Sequence, residues 1–187
     1  MAPTQPISRA ALAAVFVAVV LAAAVSTFAI TGSTGPGPPW RGSAADIPCN
    51  VPPLPGSLVD VTLADYGSGM MGGTWPMMAT VQAQPQVVEA GTVSFLVRNR
   101  GQYVHELTVL PTTSAGPGTR ITGPDGTVSE EGALGHAEAS CGAGEGDGIP
   151  PGGTSWLTLD LPPGQYELIC NEPWHYQAGM YQILTTT

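Results

Sequence analysis

The chain has no lysine among its 187 residues, and its five arginines face fourteen aspartates and glutamates, for a formal net charge of −9. Beyond residue 41 the only basic side chains are Arg98, Arg100 and Arg120. So little positive charge excludes a nucleic-acid or anionic-lipid surface and would suit docking against a basic partner patch. An acidic protein kept soluble by its charge is the plainer reading. There is no glycine-rich phosphate loop, no Ser-His-Asp pattern and no basic-aromatic interleaving, so neither nucleotide chemistry nor triad hydrolysis has a foothold. Sustained helical periodicity is missing after the first thirty or so residues. Cysteine is scarce and odd in number, three in all.

What is present begins with ALAAVFVAVVLAAAVSTFAI, residues 11 to 30, uncharged throughout. About twenty apolar positions cross the roughly 30 Å hydrocarbon layer as a helix. Arg9 ahead of them keeps the N-terminus (1–9) inside and exports the rest. Thr27 and Ala29 offer a small-residue cleavage site, which would make the segment a signal peptide and the product secreted. Its length favours an uncleaved single-pass anchor over 10–30. Residues 31–48, opening with TGSTGPGPPWRGS, read as a semi-extended Gly/Pro linker, leaving 49–187 as one folded domain.

In that domain short Val-, Leu- and Thr-rich segments alternate with Gly and Pro. They predict strands at 58–64, 79–84, 92–99, 104–110, 154–161, 165–170 and 180–186, with turns at Glu89-Ala90-Gly91, Asn99-Arg100-Gly101 and Pro162-Pro163-Gly164. The expected fold is all-β, a Greek-key sandwich. Period-two alternation sets His105, Leu107 and Val109 on one face, and likewise Tyr166, Leu168 and Cys170. Residues 111–153 are mostly Gly, Pro, Ser and acid. They read as a long loop, with one helical turn over Ala133–Ala139 and His136 in solvent.

The run ICNEPWHYQAGMY carries Cys170, His175 and Met180 at intervals of five, and YVHELTVL carries His105. Two imidazoles, a thiolate and a weak axial thioether are the donor set of an electron-transfer copper site, one ion cycling between Cu(I) and Cu(II). Assigning Cys170 to the metal leaves Cys49 and Cys141 to pair, closing a loop of roughly ninety residues. An exported sandwich with an incidental Cys, His and Met is the bland alternative.

Through VRNRGQYVHELTVL and LPPGQYELICNEPWHYQAGMYQIL, over roughly residues 55 to 187, the chain resembles the cupredoxins, the type 1 blue copper proteins. The Cys-x4-His-x4-Met spacing is similar to that of family members, and the overall layout is similar to that of membrane-anchored bacterial ones. The resemblance implies Cys170 as the covalent thiolate ligand, His105 as the buried imidazole, His175 as the imidazole near the surface and Met180 as the axial ligand. It implies an electron carrier, with redox proteins as partners and no small-molecule substrate. Asn171 and Pro173 complete the ligand loop around the metal. Two departures stand out. Glu106 occupies a position where a small polar residue commonly bonds to the ligand loop; ionised, it would favour Cu(II), unless it points outward. Trp174 stands where glycine is frequent and would form an apolar patch beside His175.

Met70, Met71, Met77 and Met78 crowd into GSGMMGGTWPMMA. Thioethers are soft Cu(I) ligands, which gives the alternative of a copper-handling protein for storage, delivery or resistance. Adaptable apolar packing is the plainer role. Three histidines are too few for the further copper sites of a multicopper oxidase or a nitrite reductase, so an enzyme is not expected.

Overall fold

Strands form where β-branched and aromatic residues alternate with polar ones, and in the computed structural model, which describes residues 45–66 and 78–187, they build two sheets. The nine are β1 (Ser57–Tyr66), β2 (Met78–Gln84), β3 (Val87–Val88), β4 (Gly91–Asn99), β5 (Leu107–Pro111), β6 (Gly135–Ala137), β7 (Thr154–Leu161), β8 (Gly164–Ile169) and β9 (Tyr181–Thr186). The proposed anchor, the linker up to residue 44, and Met70, Met71 and Met77 lie outside the described residues. Among those described, no helix is long and apolar enough to cross a membrane.

One sheet runs β2-β1-β4-β7 and the other β3-β9-β8-β5-β6. Two pairs, β1 with β4 and β3 with β9, are parallel, which an all-antiparallel sandwich does not provide. The inward side chains of both sheets, among them Val61, Phe95, Val97, Leu107, Val109, Leu168 and Leu184, form one core cluster. In β1 the period-two rule is visible directly: Val59, Val61 and Leu63 are buried while Leu58 and Asp60 are exposed.

The 111–153 segment, read as a long loop, packs against the sandwich. Its first half lies over the outer face of the second sheet, where Leu110, Val128, Ile169 and Tyr176 form a second, smaller core with Ala133 and Tyr181. For this reason β8 is buried on both faces from Tyr166 to Ile169 rather than alternating. The helical turn expected over Ala133–Ala139 is instead the strand β6, paired to β5 with His136 opposite Thr108. That pairing also corrects the placement of His136: its side chain is only 16% exposed, with Nδ1 2.8 Å from Glu138 Oε1. The second half of the segment is tied down by the Cys49–Cys141 disulfide, Cα–Cα 5.4 Å, and by Cys141 N donating to Thr154 O.

A buried carboxylate fastens the covering segment to the sheet. Glu167, fully buried, accepts from Arg120 Nε at 2.7 Å, Tyr176 Oη at 2.8 Å and Gly118 N at 2.8 Å. Removing one partner of a buried pair strands the other charge, at a cost of about 3 to 5 kcal/mol. Arg120→Met is therefore expected to lose about 3 kcal/mol, the low end, because two donors to Glu167 remain. A denaturant midpoint shift at unchanged slope measures it.

Candidate metal centre

His105 lies just before β5, two residues ahead of its first residue Leu107, not inside a strand as the alternation had placed it. A reciprocal bridge to Ile149 holds it, His105 N to Ile149 O at 3.1 Å and Ile149 N to His105 O at 2.7 Å. Cys170 directly follows β8. Beyond it the chain closes on itself: His175 N donates to Glu172 O, Met180 N to His175 O and Cys170 N to Met180 O, at 3.0, 3.1 and 3.1 Å. The β8–β9 ladder begins at once with Ile169 opposite Tyr181, so the loop ends are pinned by the sheet.

Three donor atoms converge at this end of the sandwich. His105 Nδ1 and His175 Nδ1 are 3.2 Å apart, Cys170 Sγ is 3.4 Å from His175 Nδ1, and Sγ is 3.8 Å from His105 Nδ1. Bonds of about 2.0 to 2.3 Å at trigonal to tetrahedral angles put such donors about 3.3 to 3.8 Å apart. The spacing fits a single small cation. His105, Cys170 and Met180 are fully buried and His175 is 8% exposed.

Burial pushes the Cys170 thiol well above its ordinary range. Burial, reinforced by neighbouring His105, pulls His175 down to about 4. Burial also lowers His105, against the opposing pull of Asp65. The metal-free set is thus two neutral imidazoles and a thiol, and a soft cation that takes it up displaces one proton.

Of the residues expected around these donors, Glu106 touches a donor atom and Asn171 bonds to Glu106. Glu106 N donates to Cys170 Sγ at 3.5 Å, and Glu106 Oε1 accepts from Asn171 N at 3.1 Å. Burial, then Glu138, Glu172 and Glu130, push Glu106 up to about 8. The side chain points to the ligand loop rather than outward. Asn171 accepts from Val128 N at 2.7 Å and donates to Val128 O at 3.1 Å and Glu130 Oε1 at 2.8 Å, stitching the loop to the covering segment. Trp174, after Pro173, is in the left-handed region at φ 71° and is 54% exposed. Its N donates to Gly126 O, and a Cβ at position 126 would lie 2.5 Å from the indole, so glycine is required there.

Asp65 was not singled out in the sequence. It is 5% exposed, and its Oδ2 lies 2.8 Å from His105 Nε2, accepting also from Gln102 N at 2.6 Å and Tyr103 N at 3.2 Å. The signal was available: Val59, Val61, Leu63 and Asp65 share one phase of β1, so an acid stands where the core-facing pattern calls for an apolar residue. Asn99 likewise holds the 99–103 turn, donating to Tyr103 O and Ile149 O at 2.7 Å each and accepting from Gly101 N at 2.8 Å.

A buried His105, Cys170, His175 and Met180 set in an all-β, two-sheet frame fits a type 1 copper centre for one ion. In backbone the chain is similar to rusticyanin from Thiobacillus ferrooxidans, at 18% identity, TM-score 0.40, over 71% of this chain and 79% of that one. It is similar to auracyanin A, a "blue" copper protein of the green thermophilic photosynthetic bacterium Chloroflexus aurantiacus, at 17% identity, TM-score 0.42, over 70% and 100%. A third is reduced auracyanin from Roseiflexus castenholzii, at 19% identity, TM-score 0.40, over 71% and 99%. No protein-family model and no curated protein matches the chain. The metal assignment rests on the donor set, not on these likenesses.

Proposed function

We propose that the chain is a cupredoxin-type electron carrier, passing single electrons between redox proteins at the outer face of the cytoplasmic membrane, to which residues 10–30 anchor it. The observation that carries this reading is the closed, buried N₂S donor set, in which His175 alone keeps any exposure, 8%. Bound copper supplies the one-electron step, alternating between Cu(I) and Cu(II). The chain's own residues hold the donors fixed. His105 is clamped by Ile149 and Asp65, and Cys170, His175 and Met180 are joined by backbone bonds within one short loop. The same burial keeps bulk water from the donors.

Trp174 beside His175 is the proposed contact for a partner. An aromatic anchor at such a patch is worth upward of about 1.4 kcal/mol, a factor of ten. Trp174→Ala is expected to slow electron exchange with a physiological partner about tenfold while leaving the visible band of the copper form in place. A changed band with an unchanged rate would remove Trp174 from that role.

The copper-handling alternative rests on Met70, Met71, Met77 and Met78, of which Met78 is described and is 67% exposed at the start of β2. A carrier shows intense thiolate-to-copper absorption and rapid reversible redox. A chaperone instead yields Cu(I) readily to a competing chelator and loses that exchange when all four methionines are replaced. The enclosed donor set favours the carrier.

A further inference from the structure

We propose that Asp65 is a positioning residue of the metal centre, fixing the tautomer and orientation of His105 and adding a buried negative charge that favours the oxidised ion. The second half of the proposal rests on the copper reading; the first does not.

Asp65 Oδ2 receives two backbone N–H groups, from Gln102 and Tyr103, and these can only donate. The same oxygen is 2.8 Å from His105 Nε2, in a site where the two side chains are 0% and 3% exposed. Acting as acceptor there, it places the imidazole proton on Nε2. The Nδ1 lone pair is then left facing Cys170 Sγ and His175 Nδ1, the arrangement a metal ligand needs. Carboxylate partners of this kind orient a ligating imidazole and raise its basicity, and their loss typically costs 10- to 100-fold in metal affinity.

Two further features show that the contact is built in. Gly101 leaves the space: a Cβ there would lie 2.0 Å from Asp65 Oδ2 and 2.6 Å from His105 Nε2. Asn99 Oδ1 accepts from Gly101 N and its amide bridges Tyr103 O and Ile149 O, so the turn that presents the two N–H groups to Asp65 is itself fixed. Glu106, by contrast, touches the ligand loop but not an imidazole nitrogen.

The first test needs no substitution. Imidazole nitrogen NMR of the metal-free full-length chain is expected to show His105 as a single Nε2–H tautomer; a proton on Nδ1, or averaging between tautomers, would overturn the positioning role. Three variants extend it, with circular dichroism and an intact disulfide as the folding control. Asp65→Ala and Gly101→Ala are expected to bind Cu(II) and Zn(II) 10- to 100-fold more weakly in chelator competition. Asp65→Asn keeps an acceptor but removes the charge, so it is expected to keep its colour while losing Cu(II) affinity preferentially. Each tenfold difference between the two oxidation states raises the potential by about 59 mV. Affinities within twofold of the parent and an unmoved potential would reject the proposal while a blue parent left the copper reading intact. A parent that binds no copper would sink that reading, with the tautomer and the Zn(II) affinities still deciding the role of Asp65.

Discussion

Cys170→Ser yields a folded chain whose copper form has no intense visible absorption. The colour of such a centre comes from charge transfer between thiolate sulfur and Cu(II), and a serine hydroxyl does not ionise in a site whose burial already holds the thiol protonated. Copper affinity falls with it, because the remaining neutral imidazoles and thioether offer no charge to a cation. The sandwich survives. Serine is smaller than cysteine, and the cost is that of a buried hydroxyl, about 1 to 3 kcal/mol, offset in part by its neighbours Glu106 N and His175 Nδ1. An absorbance titration with Cu(II) beside a thermal melt of each form checks both halves. A variant that kept the band would mean that Cys170 is not the ligand.

Replacing Cys49 and Cys141 together by alanine is expected to lower stability by about 4 to 5 kcal/mol. The bridge spans 92 residues, and cross-linking so long a loop removes about that much chain entropy from the unfolded state. The effect reaches the metal centre. The bridge and the bonds from Cys141 to Thr154 and Ile47 to Gly152 hold the stretch that carries Ile149, the residue bonded at both ends to the His105 backbone. Copper release on mild denaturant should therefore begin at lower concentration in the double variant than in the parent. Guanidinium unfolding with and without reductant gives the same comparison in one protein. A loss below about 1 kcal/mol would show that the cross-link only decorates a domain already held by its core.

The strand pattern was legible because short Val-, Leu- and Thr-rich runs are bounded by Gly and Pro turns, with clear alternation in β1 and β2, and the observed β1, β2, β4, β7, β8 and β9 lie within about two residues of the runs read from sequence. Cys170, His175 and Met180 were legible because loop ligands keep fixed spacing in one segment, and His105 because it sits at the mouth of an apolar strand. The covering segment was not. Its Gly-, Pro- and acid-rich composition hides a few apolar residues, Val128 and Ala133 among them, whose partners Leu110, Ile169 and Tyr176 lie far away in sequence. For the same reason β6 reads as a helical turn in the sequence: three residues with no alternation of their own become a strand only because β5 offers an edge. Asp65 shows a different failure. Its phase in β1 marked it as inward, but an inward acid acquires meaning only once His105, 40 residues on, is known to face it.

The central claim is that one copper ion sits among His105, Cys170, His175 and Met180. The most direct measurement is the visible and paramagnetic-resonance spectrum of the full-length chain loaded with one equivalent of Cu(II). An intense band that bleaches on one-electron reduction and returns on reoxidation, with one copper bound per chain, is the predicted result. A colourless, folded protein whose copper washes away, or whose signal is that of a site without sulfur, would contradict it.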